Sequence, residues 1–190
     1  MKNFRQINET ERKIIDLALN ALTPNLRAHN YDIYSKFYIS IEENNRGPNF
    51  PQVYLLPKEN IATLKKLKNI DNIKSAGLYF GFIMKGNFHL SIEGTAYLLS
   101  SNLIPKEKII IINNDAEKST LYGNNISKGM IETIPESFYR KDLLLVLNPA
   151  NELIALVQSK VDYIQYSDLN SDDVVAVNLV DKGYYLRRER

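Results

Sequence analysis

The hydrophobic positions along the chain fall into two textures that meet near residue 105. In the first, Ile14, Ile15, Ala18, Leu19 and Leu22 recur at three- and four-residue spacing, which is the stripe of an amphipathic helix. Asn8 stands three residues ahead of Glu11, a capping-box pattern that opens this helix. The spacing carries it to about Ala21, and Pro24 stops it. Residues 34–41 set Tyr34, Lys36, Tyr38 and Ser40 against Ser35, Phe37, Ile39 and Ile41, an alternation that predicts a strand. A polar loop bearing Gly and Pro covers residues 42–51, and a short strand follows over 53–56. Pro57 precedes a helix over 58–68 with Ile61, Leu64 and Leu67 facing in. Residues 75–84 form a continuous apolar run holding Tyr79, Phe80 and Phe82, the pattern of a well-buried strand. A turn at Lys85-Gly86-Asn87 leads into alternating Phe88, Leu90 and Ile92, which completes a hairpin. A short helix over 93–99 ends in Ser100-Ser101-Asn102.

Beyond Pro105-Lys106-Glu107 the apolar runs become short. Strands are predicted over 109–112, 130–134, 143–147, 153–158 and 174–180. Turn-forming groups separate them, among them Pro135-Glu136-Ser137, Asn148-Pro149-Ala150-Asn151 and Asn170-Ser171-Asp172. One or two helical turns over 116–122 end at Gly123-Asn124-Asn125. Many short strands with one small helix predict a compact, barrel-like β domain. The whole chain is therefore expected to be α+β in two domains, residues 1–104 an antiparallel sheet with helices and residues 105–190 a β pseudo-barrel. No internal repeat or low-complexity segment interrupts it.

Composition narrows the function classes. Hydrophobic residues make up 44% and charged residues 24%, ordinary proportions for a globular protein. The chain has no cysteine, so disulfides, thiolate metal sites and cysteine nucleophiles are excluded. The first residues hold no apolar signal-peptide core, and no apolar run is long enough for a membrane-spanning helix; an intracellular location is expected. The formal net charge is +2, too small to announce a nucleic-acid binder. Residues 106–190 carry 11 Lys and Arg against 13 Asp and Glu, leaving 13 against 9 in the preceding residues, so the positive excess is N-terminal.

Catalytic patterns are missing from the sequence. His29 and His89 have no neighbours at metal-ligand spacing, and His89 lies on the polar side of a hairpin strand. There is neither a nucleophile elbow nor a Walker loop. Gly77, Gly81 and Gly86 lie in or beside strands and make no phosphate fingerprint. Asp172-Asp173 reads as a turn or strand start. Two basic groups stand out. Lys65, Lys66, Lys68 and Lys74 surround the second helix and read as its solvated face. Arg187, Arg188 and Arg190 follow Tyr184-Tyr185, and cations beside aromatic rings suit contact with single-stranded RNA.

The stretch Ala116-Glu117-Lys118-Ser119-Thr120-Leu121-Tyr122-Gly123-Asn124-Asn125-Ile126, followed by Lys128-Gly129-Met130-Ile131, resembles the opening of the PUA domain in the Nip-seven family of ribosome-biogenesis factors. The hairpin at residues 77–92 with Tyr97-Leu98, and the ending Gly183-Tyr184-Tyr185-Leu186-Arg187, resemble that family's other signatures in order and spacing. The resemblance implies a non-enzymatic factor of large-subunit pre-rRNA processing that needs no cofactor. Its PUA domain would contact RNA, tolerating single-stranded U-rich sequence, and its N-terminal domain would dock assembly proteins. A monomer is expected, in the cytoplasm or, in a nucleated cell, the nucleolus. The matching basic positions are Lys118, Lys128, Arg187 and Arg188, on the surface of the small helix, the strand after it and the final strand, with Lys160 added. Two segments depart from the family, and one is the hairpin around Leu153-Ile154-Ala155-Leu156, which lacks the glycines often seen there. Tyr166-Ser167-Asp168-Leu169 carries no positive charge where the family has a basic stretch, which points to an alternative role as a protein-docking adaptor with little RNA affinity.

Overall fold

The computed structural model describes residues 2–24, 33–42, 50–67 and 75–188. The chain divides into two units, Met1–Asn20 with Pro24–Leu98, and Ala21–Thr23 with Leu99–Arg190.

The N-terminal unit holds a five-stranded sheet of β1 (Lys2–Gln6), β2 (Phe37–Glu42), β3 (Gln52–Leu55), β4 (Leu78–Met84) and β5 (Asn87–Leu90). The strands lie in chain order and every neighbouring pair is antiparallel. The helices of this stretch are α1 (Glu9–Leu22), α2 (Ile61–Leu67) and α3 (Ile92–Ser100). The capping box forms as the sequence predicts. The Asn8 N–H donates to Glu11 Oε2 at 2.8 Å, and the Glu11 N–H donates to Asn8 Oδ1 at 2.9 Å. Arg5 of β1 adds two bonds to the same carboxylate, at 2.8 and 2.6 Å. Burial pushes the Glu11 carboxyl up, but the Arg5 and Asn8 bonds outweigh it and hold the group below the usual carboxylate range.

Both faces of this sheet carry buried rings. Phe37 of β2 and Phe80 of β4 meet at 4.8 Å, and Phe80 also meets Tyr97 of α3. Phe4, Tyr54 and Leu64 form a separate buried cluster with Leu56. The Lys85-Gly86 turn has positive φ at both residues, 50° and 76°, the primed geometry that matches the twist of a hairpin. Strand β1 has no counterpart in the hydrophobic pattern, because Phe4 is its single large apolar residue and an edge strand with one inward residue has no readable period. The predicted strand at residue 34 begins only at Phe37; residues Tyr34–Lys36 form a 3-10 turn. Tyr34 turns its hydroxyl to Asp16, donating at 2.6 Å.

The C-terminal unit is a six-stranded, nearly closed barrel-like sheet. Its strands are β6 (Ile109–Ile112), β7 (Ile126–Ser127), β8 (Ile131–Thr133), β9 (Leu143–Leu147), β10 (Leu153–Ser159) and β11 (Val174–Asp181). The order is β7-β11-β10-β9-β6-β8, with β6 and β9 parallel. Helices α4 (Asn114–Leu121), α5 (Tyr163–Tyr166) and α6 (Tyr184–Arg188) complete it. Ile110, Ile112, Phe138, Leu144, Val146, Ile154, Val157 and Ala176 fill its core. Residues 153–157 of β10 are all buried, so this strand is covered on both faces and has lost the period-2 alternation. The α+β class is the one the sequence predicts. One placement is corrected. Arg187 and Arg188 do not lie on the final strand but in α6, beyond a turn at Lys182-Gly183 that ends β11.

Candidate nucleic-acid interface

Helix α4 organises one side of the C-terminal unit. Asn113 caps its start by accepting from the Ala116 N–H at 3.0 Å. The same side chain donates to the Gly129 carbonyl at 3.0 Å, which ties the helix to the Lys128–Met130 turn. The last carbonyls of a helix lack their regular partners; here the N–H groups of Tyr122, Gly123 and Asn124 bond those of Lys118, Ser119 and Thr120, and side chains from later in the chain add further bonds. Asn178 of β11 donates to the carbonyls of Thr120 (3.0 Å) and Asn124 (3.2 Å), and Arg187 of α6 donates to the carbonyl of Leu121. A cation at a helix C-terminus is also favoured by the helix dipole.

Arg187 is held in turn by Asp181, through Nη1 to Oδ1 and Nη2 to Oδ2, both at 2.8 Å. Asp181 is 2% exposed and the Arg187 side chain 33%. The bonds to Asp181 raise the Arg187 pKa above its ordinary value. Gly183 permits this packing. A β-carbon there would overlap the Leu121 carbonyl, and one at Gly123 would stand 3.1 Å from Arg187 Nη2.

Between α4 and the β11–α6 corner lies an open cleft of about 690 Å³. Asn114, Glu117, Lys118, Leu121 and Tyr122 line it from α4 and its cap. Glu152 and Ile154 line it from β10 and its entry, and Lys182, Gly183 and Arg187 from the corner. Tyr122 is 62% exposed. On the cleft's acidic side, the Asn148 amide donates to both Glu117 Oε2 (3.2 Å) and Glu152 Oε2 (3.1 Å).

The five basic positions do not form one surface. Lys118 is exposed and lines the cleft with Arg187. Lys128 faces other work: its ammonium donates to the carbonyls of Ser167 (2.9 Å) and Leu169 (2.7 Å) and lies 5.2 Å from the Tyr166 ring centre. The segment at residues 166–169, which carries no positive charge, is therefore the partner of Lys128. Lys160 is exposed outside the cleft lining. Arg188 lies in α6. Sequence reasoning missed Asp181, Lys182, Glu117 and Glu152 as parts of this site, although Glu117 stands inside the motif it singled out and Asp181 only two residues before Gly183. Asp173 behaves as a turn residue, accepting from the Asn170 N–H at 2.7 Å. His89 stacks on Phe82 at 4.8 Å. Lys66 is exposed on α2, while His29, Lys68 and Lys74 lie outside the described residues. Among the described residues, no group of three or more His, Cys, Asp or Glu is placed to hold a metal ion. No helix among the described residues is long and apolar enough to cross a membrane.

Comparison with known proteins bears on this unit first. Residues 108–190 match the family model described as the UPF0113 PUA domain. A protein of Archaeoglobus fulgidus described as a UPF0113 protein is 28% identical over 187 residues, covering 98% of this chain and 96% of that one. Among solved structures, a conserved PUA domain protein from Thermoplasma acidophilum superposes with a TM-score of 0.58 at 17% identity, covering 100% of this chain and 99% of its own. A PUA domain from Aeropyrum pernix, solved as a tartrate complex, gives 0.63 at 10% identity over 96% and 88%. A hypothetical protein from Pyrococcus horikoshii gives 0.62 at 9% identity over 95% and 94%. At these identities the structures show a shared fold.

Proposed function

We propose that this protein is a non-catalytic RNA-binding factor of ribosome assembly, acting in large-subunit pre-rRNA processing and contacting single-stranded RNA through the α4 cleft. The observation that carries the reading is that the region matching the PUA domain model builds an open cleft at the Leu121-Tyr122-Gly123 turn. Lining it are Lys118 and Lys182, which make no ion pair among the described residues, and an exposed ring, Tyr122. Cations contact phosphates and rings stack on unpaired bases, which is the chemistry of single-strand recognition. Arg187 serves this surface by fixing its walls and Lys128 by holding residues 166–169, while Lys118 and Lys182 make the phosphate contacts. The reading places the protein in the cytoplasm, or in the nucleolus of a nucleated cell, acting as a monomer with its N-terminal unit docking assembly proteins.

The test is binding of a fluorescent, mixed-sequence single-stranded RNA to the full chain across a salt series. Two phosphate contacts give a logarithmic salt slope of about −1.4. The K118E/K182E variant is expected to lose most of the affinity while keeping the parent's thermal stability. Absence of binding at low salt overturns the reading.

A second reading, the protein-docking adaptor, is favoured by a different surface. Tyr139 is 70% and Ile164 83% exposed, and the Tyr163 N–H donates to the Phe138 carbonyl at 3.0 Å, which joins the two segments. Exposed apolar groups gathered on one face mark interaction surfaces. Capture of purified large-subunit assembly proteins that survives nuclease and is lost in Y139S/I164S supports this reading.

A further inference from the structure

The α4 cleft holds more than cations, and its acidic half is a built element. Asn148 is 5% exposed. It is fixed at the β9–β10 turn, where its N–H donates to the Glu152 carbonyl at 3.0 Å and its Oδ1 accepts from the Glu152 N–H at 2.9 Å. From there a single amide nitrogen holds one oxygen of Glu117 and one of Glu152. Two carboxylates sharing one neutral donor repel each other, and the other oxygen of each makes no hydrogen bond among the described residues. The cleft therefore presents acceptors that a ligand with adjacent N–H donors would satisfy. Lys118 and Lys182 line the same cleft and make no ion pair or side-chain hydrogen bond among the described residues. The ligand that fits has an anionic part, a donor-rich edge and a flat face for Tyr122.

We infer that the cleft takes one unpaired guanosine of a single-stranded RNA, with Glu117 and Glu152 reading its base edge and Lys118 and Lys182 its flanking phosphates. Guanine fits because N1–H and the N2 amino group stand side by side as donors, matching a carboxylate. Uracil presents two carbonyl oxygens around one N–H, and both oxygens would meet carboxylate oxygens. Adenine and cytosine offer one amino group beside a ring acceptor and rank between. The cleft volume of about 690 Å³ accommodates a nucleotide. This inference rests on the proposed RNA contact and adds its base preference. It departs from the tolerance of U-rich RNA that the family resemblance implies.

The experiment compares four short oligouridines of equal length, labelled at one end, that carry G, A, C or U at the central position. Each is titrated with the full chain at one low salt concentration. The parent is expected to bind the G oligomer about tenfold or more tighter than the U oligomer, the scale of one bidentate base contact. Inosine at the centre, which lacks the N2 amino group, should lose most of that advantage. The isosteric variants E117Q and E152Q keep an acceptor for Asn148 and should reduce the preference to within about twofold, leaving the U oligomer's affinity equal or higher. Equal binding of all four oligomers overturns the base-reading inference and leaves the RNA contact standing. A G preference that survives in both variants also overturns it, since another group then reads the base. Failure of every oligomer to bind removes the RNA reading itself, and if an oligoarginine peptide binds the parent but not E117Q/E152Q, the carboxylates belong to a protein-docking site.

Discussion

Arg187 and Asp181 lie six residues apart and face each other across the Lys182-Gly183 turn, joined by two parallel bonds of 2.8 Å. With the further bond from Arg187 to the Leu121 carbonyl, the pair clips the end of the chain onto the end of α4 and so fixes one wall of the cleft. Its effect differs from that of a surface cation. Removing Arg187 leaves a buried carboxylate with no counter-charge, and the cost is then the desolvation of Asp181 rather than one lost contact. The R187A variant is expected to lose about 2–4 kcal/mol of stability in urea unfolding, the lower end reflecting the exposed third of Arg187. The double variant R187A/D181A should recover a large part of that loss, and R187K only a small part, because an ammonium cannot make the two parallel bonds. A double-variant loss equal to the sum of the R187A and D181A losses would show that the pair is not coupled.

The Lys128 clamp makes a second, separable prediction. Its two carbonyl partners lie 39 and 41 residues away, so K128M frees residues 166–169 from the Lys128–Met130 turn. The expected loss is about 1.5–3 kcal/mol, the range for hydrogen bonds to a charged group. Hydrogen exchange should show the lost protection concentrated in residues 162–170, with β6 and β9 unchanged.

Close approach at Gly183 predicts that even a methyl group is harmful. The G183A variant drives a β-carbon into the Leu121 carbonyl, a backbone atom that cannot rotate away. Destabilisation of about 1–3 kcal/mol is expected. A lower RNA affinity should accompany it, because the cleft wall moves.

The Glu11 capping box predicts a pH dependence with a definite sign. Its carboxyl is held below the usual range in the folded chain. A group with a depressed folded pKa adds stability that is present above its unfolded pKa and is lost as pH falls through the folded pKa. The parent should therefore weaken on acidification below the ordinary carboxylate range. E11Q should be less stable at neutral pH by about 1 kcal/mol, the scale of a helix cap, with a flatter acid limb in the unfolding profile. An unchanged acid limb would show that other carboxylates dominate it.

Local chemistry and periodicity by themselves determined the elements whose causes lie within a few residues. The Asn8–Glu11 capping box, the 109–112 and 143–147 strands, the hairpin at Lys85-Gly86 and the α+β class all follow from spacing and turn chemistry. So does the Leu121-Tyr122-Gly123 motif, because a helix end that needs glycine leaves a mark in the sequence. Tertiary structure alone decided the partners. Lys118, Lys128 and Arg187 look alike as positive residues near aromatic ones, yet among the described residues one lines the cleft without an ion pair, one is bound to carbonyls, and one neutralises a buried aspartate. Which of these a lysine or arginine becomes depends on residues as many as 66 positions away. The bond energy at such a contact comes from geometry across the barrel, and no spacing rule along the chain encodes it. The same reason hid the acidic half of the cleft, since Glu117 and Glu152 meet only because β9 and β10 carry Asn148 between them.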